Sequence, residues 1–372
     1  MVFVRHEDKP VTGFNVGVVM NKKNTPGLVG LEIEVEGTKL PKQNAPLPWV
    51  YHPDGSLRGA DNAEYVLNKP IEFEAVPKAL EVLWDKFREC GSTLDDSNRT
   101  SVHVHLNCQS FFFNRLTTLM GMYFTFEEIL TEWCGEHRVG NLFCLRAKDA
   151  PAIVSQIKKF IRTDGKTPIH DHHHYAGLNA NALGKFGSLE FRSLRGCSDQ
   201  QTIVDWVSIL ERMYRLSADF TDPRDFCTML SSDGPLEMFS NVLGEMAPKV
   251  RKDIQMGDQE IRESMYEGIR MAQDLCYCRD WSLFKGVELK TDPFGRDARK
   301  LVMNMMDTEI NFMDIETFGG LPPAHPTALD PFFTINTQTL HAPATMQVTW
   351  DSDTLNEIAE APQWHDEPEE DE

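Results

Sequence analysis

The sequence of this 372-residue chain predicts an α+β fold, and three observations predict it. Three short segments alternate apolar and polar residues at strand period. Segments with apolar residues at helical spacing separate them. Beyond Asp222 the strand signal gives way to helix-like stretches, so a mostly helical C-terminal extension follows the sheet region.

Taken in order, residues 30–37, GLEIEVEG, alternate Leu31, Ile33 and Val35 with Glu32, Glu34 and Glu36. All three carboxylates therefore share one face of a strand. A Pro-rich stretch, Pro41 to Pro48, leads to a short strand from Trp49 to His52. The turn signal Pro53-Asp54-Gly55 closes it, and another strand covers Ala63 to Leu67. Ala75 to Cys90 reads as an amphipathic helix that stops before Gly91.

Ser101 to Asn107, SVHVHLN, places His103, His105 and Asn107 on one strand face with Val102, Val104 and Leu106 behind. A helix is predicted from about Asn114 to Glu132, then a turn at Gly135 to Asn141 and a helix near Pro151 to Ile161. A polar, His-rich loop runs from Thr163 to His174, and the sheet resumes over His174 to Leu178. Gly187 to Arg195 sets Glu190 and Arg192 on one face, Leu189 and Phe191 on the other. Asp199 to Phe220 is a long helix with Ser198 as its cap and Ile203, Trp206, Leu210 and Met213 in its apolar stripe. Further helices are expected near Pro235 to Leu243, Asp258 to Tyr277 and Asp297 to Met306. A Pro- and Thr-rich tract, Leu321 to Thr349, comes after them.

The chain thus divides into an N-terminal arm (1–26), a catalytic domain (27–221), a helical extension (222–320) and an irregular tract ending in a disordered acidic tail (321–372). A formal charge of −20 argues against free nucleic acid as a partner. No apolar run reaches the roughly 18 residues that span a bilayer, so no membrane is expected. Met1 to Pro10 lacks the apolar core of a secretory signal, which points to a cytoplasmic protein. The eight cysteines are scattered and read as thiols, not as a disulfide framework or zinc site.

The three polar strand faces carry the chemistry. If they converge, four carboxylates and two imidazoles line one cavity, and they would repel by several kcal/mol without cations. Hard oxygen ligands with one or two His suit Mg2+ or Mn2+ better than zinc, and Mg2+ is commonly shared with phosphate oxygens. Arg192, two residues after Glu190 on the same face, can reach such a phosphate. Neither a Gly-x-x-x-x-Gly-Lys-Ser/Thr loop nor a Gly-x-Gly-x-x-Gly turn after a strand is present, and a Gly-x-Ser-x-Gly elbow is absent. Phosphate binding would need another architecture.

The ordered set Glu32-x-Glu34, Asp54-Gly55-Ser56-Leu57, Glu64, His103-Val104-His105, Arg138, Asn179 and Ser188-Leu189-Glu190-Phe191-Arg192 resembles the amidoligases. These belong to the glutamine synthetase-like carboxylate–amine ligases, and the resemblance covers roughly Gly27 to Phe220. It implies an antiparallel sheet of the glutamine synthetase-like catalytic type. It also implies Glu32, Glu34, Glu190 and His103 as metal ligands, with Glu36 at the rim. His103, His105 and Arg192 would contact ATP, and Arg138, Arg192 and Glu190 would serve catalysis. Asp54, Glu64 and Asn179 would meet substrate.

The implied reaction joins a carboxylate to an amine through an acyl phosphate, with ATP and Mg2+, the partners being small molecules, peptides or protein side chains. The chain departs from the family at Glu64-Tyr65-Val66-Leu67-Asn68-Lys69-Pro70, where a small polar residue is usual; this weakens any substrate inference from that strand. The tract His170 to His174 reads as an exposed polar turn.

Two other classes compete. One is a catalytically silent module with a structural or binding role, for example in a phage assembly, the family being common in phages, which would place the protein in a host cytoplasm. The other is a phosphotransferase of related fold. Relatives of glutamine synthetase are often oligomeric, and the apolar stripes beyond Asp222 could serve a homo-oligomer.

Overall fold

A computed structural model describes residues 27–281 except 60, 96, 164 and 170–173. The predicted arm, the helix at Asp297 to Met306, the tract from Leu321, the acidic tail and residues 170–173 of the His-rich loop lie outside the described residues.

The strands are β1 (Val29–Thr38), β2 (Trp49–His52), β3 (Asp61–Leu67), β4 (Thr93–Leu94), β5 (Ser101–Asn107), β6 (Leu178–Asn179) and β7 (Ser188–Arg195). They form one antiparallel sheet in the order β2-β3-β1-β5-β7-β6, with the short β4, which sequence reading missed, on the end of β1. The helices are α1 (Val76–Cys90), α2 (Phe113–Cys134), α3 (Ala152–Arg162), α4 (Ala182–Phe186), α5 (Gln200–Leu216), α6 (Pro223–Asp233), α7 (Pro235–Leu243), α8 (Ala247–Ile254) and α9 (Asp258–Cys276).

Strand period decides which face is buried. Leu31, Ile33, Val102, Val104, Leu106, Leu189 and Phe191 are all essentially inaccessible and meet α1, α2 and α5. Aromatic contacts make the joints: Phe87 of α1 lies edge-on to Tyr65 at 5.4 Å, and Tyr123 of α2 to Phe191 at 4.9 Å. Such a pair is worth about 0.5–1.5 kcal/mol beyond its buried area. Gly91 ends α1 in the left-handed conformation (φ 61°), as its position after Cys90 predicts. Helix α5 starts one residue later than expected. Its cap is Asp199, not Ser198, because the Asp199 carboxylate accepts from the main-chain N–H of Gln201 and Thr202.

The helices from Pro223 onward share one hydrophobic core with the sheet. They form a third layer over α2, which is therefore apolar on nearly every side. Two glycines let α2 and α9 approach. A Cβ at Gly121 would lie 3.1 Å from Cys276 Sγ, and one at Gly268 would lie 2.3 Å from the carbonyl oxygen of Phe124. Helix α6 was also missed, although Asp222 caps it and Pro223 opens its first turn. Among the described residues no disulfide joins the cysteines, and Cys90 and Cys197 are partly exposed while the others are buried. No helix of the described residues is long and apolar enough to cross a membrane.

Candidate metal and anion site

The sheet face opposite the helices gathers the charged residues. Glu32 stands across from His103, Glu34 from Glu64, and His105 from Glu190. The spatial order therefore runs from Glu64 on β3, through Glu32 and Glu34 on β1 and the histidines on β5, to Glu190 and Arg192 on β7. Three strand spacings, about 14 Å, separate the ends.

Between Val104, opposite Phe191, and Val102, opposite Leu194, the ladder slips, so His103 faces both Arg192 and Ser193. This is a β-bulge, which turns Leu194 back to the core and leaves Arg192 at the cavity; bulges commonly re-aim side chains beside functional sites.

A cavity opens on this face. Its floor includes Glu32, Glu34, Glu64, Ser101 and His103, and Arg192 flanks it with Phe143 and Tyr175. At the other end stand Asp54 and Arg99. Asp54 Oδ1 accepts from the N–H of Ser56 at 2.7 Å, and Arg99 donates to the carbonyl of Ser56 at 3.1 Å, so each also shapes that loop.

The two histidines differ. Both nitrogens of His103 are engaged: Nε2 lies 2.8 Å from Ser101 Oγ, and Nδ1 lies 3.1 Å from Glu32 Oε2. Ser101 also donates to Glu34 Oε2 at 2.5 Å, so one serine ties β5 to β1. His105 is held through Nδ1 by Ser188 Oγ at 3.1 Å. Its buried Nε2 sits 3.0 Å from Glu32 Oε1 without making an aligned hydrogen bond. Among the described residues, Glu32, His105 and Glu190 each offer a ligand atom within 4.8 Å of the others. The resemblance implied His103 as the imidazole ligand; the geometry favours His105, whose Nε2 makes no aligned hydrogen bond and whose Nδ1 is fixed by Ser188. Two carboxylates and one imidazole suit a hard divalent cation.

Glu190 is 4% exposed and divided between two neighbours. Asn179 donates to Oε2 at 2.6 Å, and Arg192 forms a short ion pair with Oε1. Asn179, expected at the substrate, supports Glu190; like Glu190 and His105, it lies behind the residues that line the cavity. Arg138, expected in catalysis, is 1% exposed and does not line it either. Its guanidinium lies against the main chain of β7, donating to the carbonyls of Ser193 at 3.1 Å and Arg192 at 2.7 Å. Glu36, expected at the rim, is buried: Oε1 accepts from the N–H of Arg58 at 2.7 Å and pins the loop before β3.

Electrostatics follow this geometry. Burial alone would raise Glu32, but its contacts with His103 and His105 and their charge outweigh it. They hold the carboxyl well below the usual carboxylate range. Burial also opposes ionisation of Glu190, and the charges of His105, Arg192 and His103 overcome it, so this carboxyl is held low too. For His105, burial works downward, yet Glu32 and Glu190 bring the net shift above the ordinary value. Glu64 is pushed up to about 7 by burial and by the charges of Glu32, Glu34 and Asp54. A divalent cation held by Glu32, His105 and Glu190 would need His105 as the neutral imidazole, so its binding would depend on pH.

Ser101, Arg99, Phe143 and Tyr175 were not anticipated, and Ser188 stood in the Ser188–Arg192 motif without a role. The serines had a readable signal: each lies two residues from a site residue on the same strand face. No protein-family model and no curated protein matches the chain.

Proposed function

We propose that the chain is an ATP- and Mg2+-dependent carboxylate–amine ligase of the amidoligase type, with its cleft on a glutamine synthetase-like sheet. The observation that supports this best is the meeting of Glu32, His105 and Glu190 on adjacent strands, with Arg192 against Glu190. Paired carboxylates beside an arginine suit a cation shared with phosphate oxygens. When bound, Mg2+ or Mn2+ at Glu32, His105 and Glu190 supplies neutralisation of phosphate charge.

In this reading a carboxylate oxygen of the substrate attacks the γ-phosphorus of ATP and ADP leaves, giving an acyl phosphate. The amine then attacks the carbonyl carbon, inorganic phosphate departs and the nitrogen gives up a proton. Arg192 would hold a phosphate oxygen and stabilise charge in the transferring group. Asp54 and Glu64 would face the acceptor end, where their carboxylates favour an amine bound as its ammonium, which must lose one proton before it attacks and a second as the amide forms. Ser101 fixes Glu34 and His103 relative to each other, so the floor is preorganised before substrate arrives.

Hydroxylamine trapping tests the proposal, with ATP, Mg2+ and a panel of carboxylates including glutamate, aspartate and short peptides. The expected result is a Mg2+-dependent hydroxamate that Glu190→Ala abolishes while leaving the thermal melt near that of the wild type. If the wild type neither consumes ATP with any carboxylate nor binds Mg-ATP, the ligase reading fails and a silent binding module replaces it. Phosphoryl transfer to an acceptor without hydroxamate would instead support a phosphotransferase.

A further inference from the structure

One end of the cleft carries a feature that phosphate and carboxylate chemistry leave unexplained. Phe143 and Tyr175 line the cavity beside Arg192, yet each ring is 40% exposed. Their centroids are 5.5 Å apart and their planes nearly perpendicular, at 81°. The two rings meet edge to face at a corner, and the imidazole of His174, which also lines the cavity, lies 3.8 Å centroid to centroid from Tyr175, so three rings gather beside Arg192.

The corner is preorganised. The N–H of Leu145 donates to the carbonyl of Tyr175 at 2.8 Å, and the N–H of Gly177 donates back to the carbonyl of Leu145 at 2.7 Å. These bonds lock the segment carrying Phe143 to the one carrying Tyr175. Asn141 accepts from the Phe143 N–H at 2.9 Å, and Arg192 Nε donates to the Phe143 carbonyl at 3.4 Å. The main chain that carries both rings is therefore fixed beside the guanidinium that would hold phosphate. Rigid exposed aromatics beside a charged cavity suit a ligand that is anionic at one end and flat and apolar at the other. The opposite end, with Asp54, Glu64 and Arg99, has no aromatic ring among its lining residues.

We infer that Phe143 and Tyr175 form the stacking site for the planar base of a nucleoside triphosphate, which lies with its phosphates toward Arg192 and its base at the β6–β7 end. This rests on the nucleotide-dependent reading above and adds the direction of the nucleotide in the cleft. Since stacking reads a π-face and not a hydrogen-bond pattern, the corner would accept ATP and GTP with similar affinity.

Calorimetric titration of the full chain with Mg-ATP and with Mg-tripolyphosphate separates the base from the phosphates. In the double variant Phe143→Ala/Tyr175→Ala, affinity for Mg-ATP should fall by about ten- to a hundredfold. Tripolyphosphate affinity should stay within about threefold, and the conservative pair Phe143→Tyr/Tyr175→Phe should bind ATP like the wild type. An unchanged ATP affinity in the double alanine variant overturns the stacking site and leaves nucleotide binding standing. Equal loss of both ligands also overturns it, because the rings would then support the phosphate site instead. Failure of the wild type to bind either ligand overturns the nucleotide reading itself.

Discussion

The side-chain amide of Asn179 donates to Oε2 of Glu190, its direct partner across the β6–β7 ladder, at 2.6 Å. The other end of the same amide accepts from the Asn181 N–H at 3.0 Å, so its orientation is set by the main chain. One oxygen of Glu190 is thus held by a neutral donor and the other by a guanidinium, and the carboxylate cannot rotate without breaking a bond. Asn179→Ala removes that constraint without touching the core. Mn2+ affinity, followed by electron paramagnetic resonance, should fall about 10–100-fold, as for other residues that orient a metal ligand. Affinity within threefold of the wild type would show that Glu190 needs no such support.

Arg138 gives the contrasting case. Its two donor contacts are to carbonyl oxygens of β7, at the bulge that presents Arg192. Arg138→Ala would remove a donor from each of these buried carbonyls, costing about 2–4 kcal/mol of stability. Denaturant unfolding should register that loss, while the Mn2+ affinity of the folded fraction stays within threefold. A large affinity loss with unchanged unfolding would return Arg138 to the catalytic set.

What could be read from the sequence has a physical boundary. The alternation of Glu32 and Glu34 with Ile33, or of His103 and His105 with Val104, is legible because one sheet face is buried and the period is two. Register is not legible in the same way. The pairing of Glu32 with His103 and of His105 with Glu190 depends on long-range ladders, and so does the grouping of His105, not His103, with Glu32 and Glu190 as candidate ligands. Strict alternation would put Leu194 on the cavity face; the bulge at Arg192 and Ser193 moves it to the core, where Leu194 is inaccessible. Arg138 shows the same limit for side chains, since an arginine on a turn reads alike whether it meets a phosphate or two carbonyls. Neighbouring Ser198 and Asp199 are both good caps, and main-chain geometry decided between them.

Glu127 supplies a pH dependence that is separate from the cleft. It is 2% exposed within α2, where burial pushes its carboxyl up to about 8 from an ordinary value of 4.5, against a 2.7 Å hydrogen bond from the Ala147 N–H. A carboxyl whose pKa is raised by folding favours the folded state most fully below its unfolded pKa. That contribution is lost as pH rises through the folded one. Stability from this group therefore declines between pH 4.5 and about 8. Glu127→Gln keeps the acceptor for Ala147 and cannot ionise. Relative to the wild type it should gain about 3 kcal/mol on going from pH 5 to pH 8 in urea unfolding. Parallel pH profiles for the two proteins would mean that Glu127 ionises without penalty.

The packing of α9 on α2 makes the last prediction, because it tests whether the helices beyond Pro223 belong to the same cooperative unit as the sheet. A methyl group at Gly268 would lie 2.3 Å from the Phe124 carbonyl oxygen and 2.7 Å from that of Thr125. Neither acceptor is the end of a flexible side chain, so the helices must separate. Overpacking of this kind costs about 1–3 kcal/mol, occasionally more. Gly184, within α4, is the control, since a Cβ there meets nothing within 4 Å. Gly184→Ala should leave the melt unchanged or raise it slightly through the reduced entropy of the unfolded chain. If α9 and the sheet unfold together, Gly268→Ala will lower the single transition seen by tryptophan fluorescence and far-ultraviolet circular dichroism alike. A second, earlier transition in the circular dichroism trace alone would mean that α9 detaches on its own and the core is not one cooperative unit.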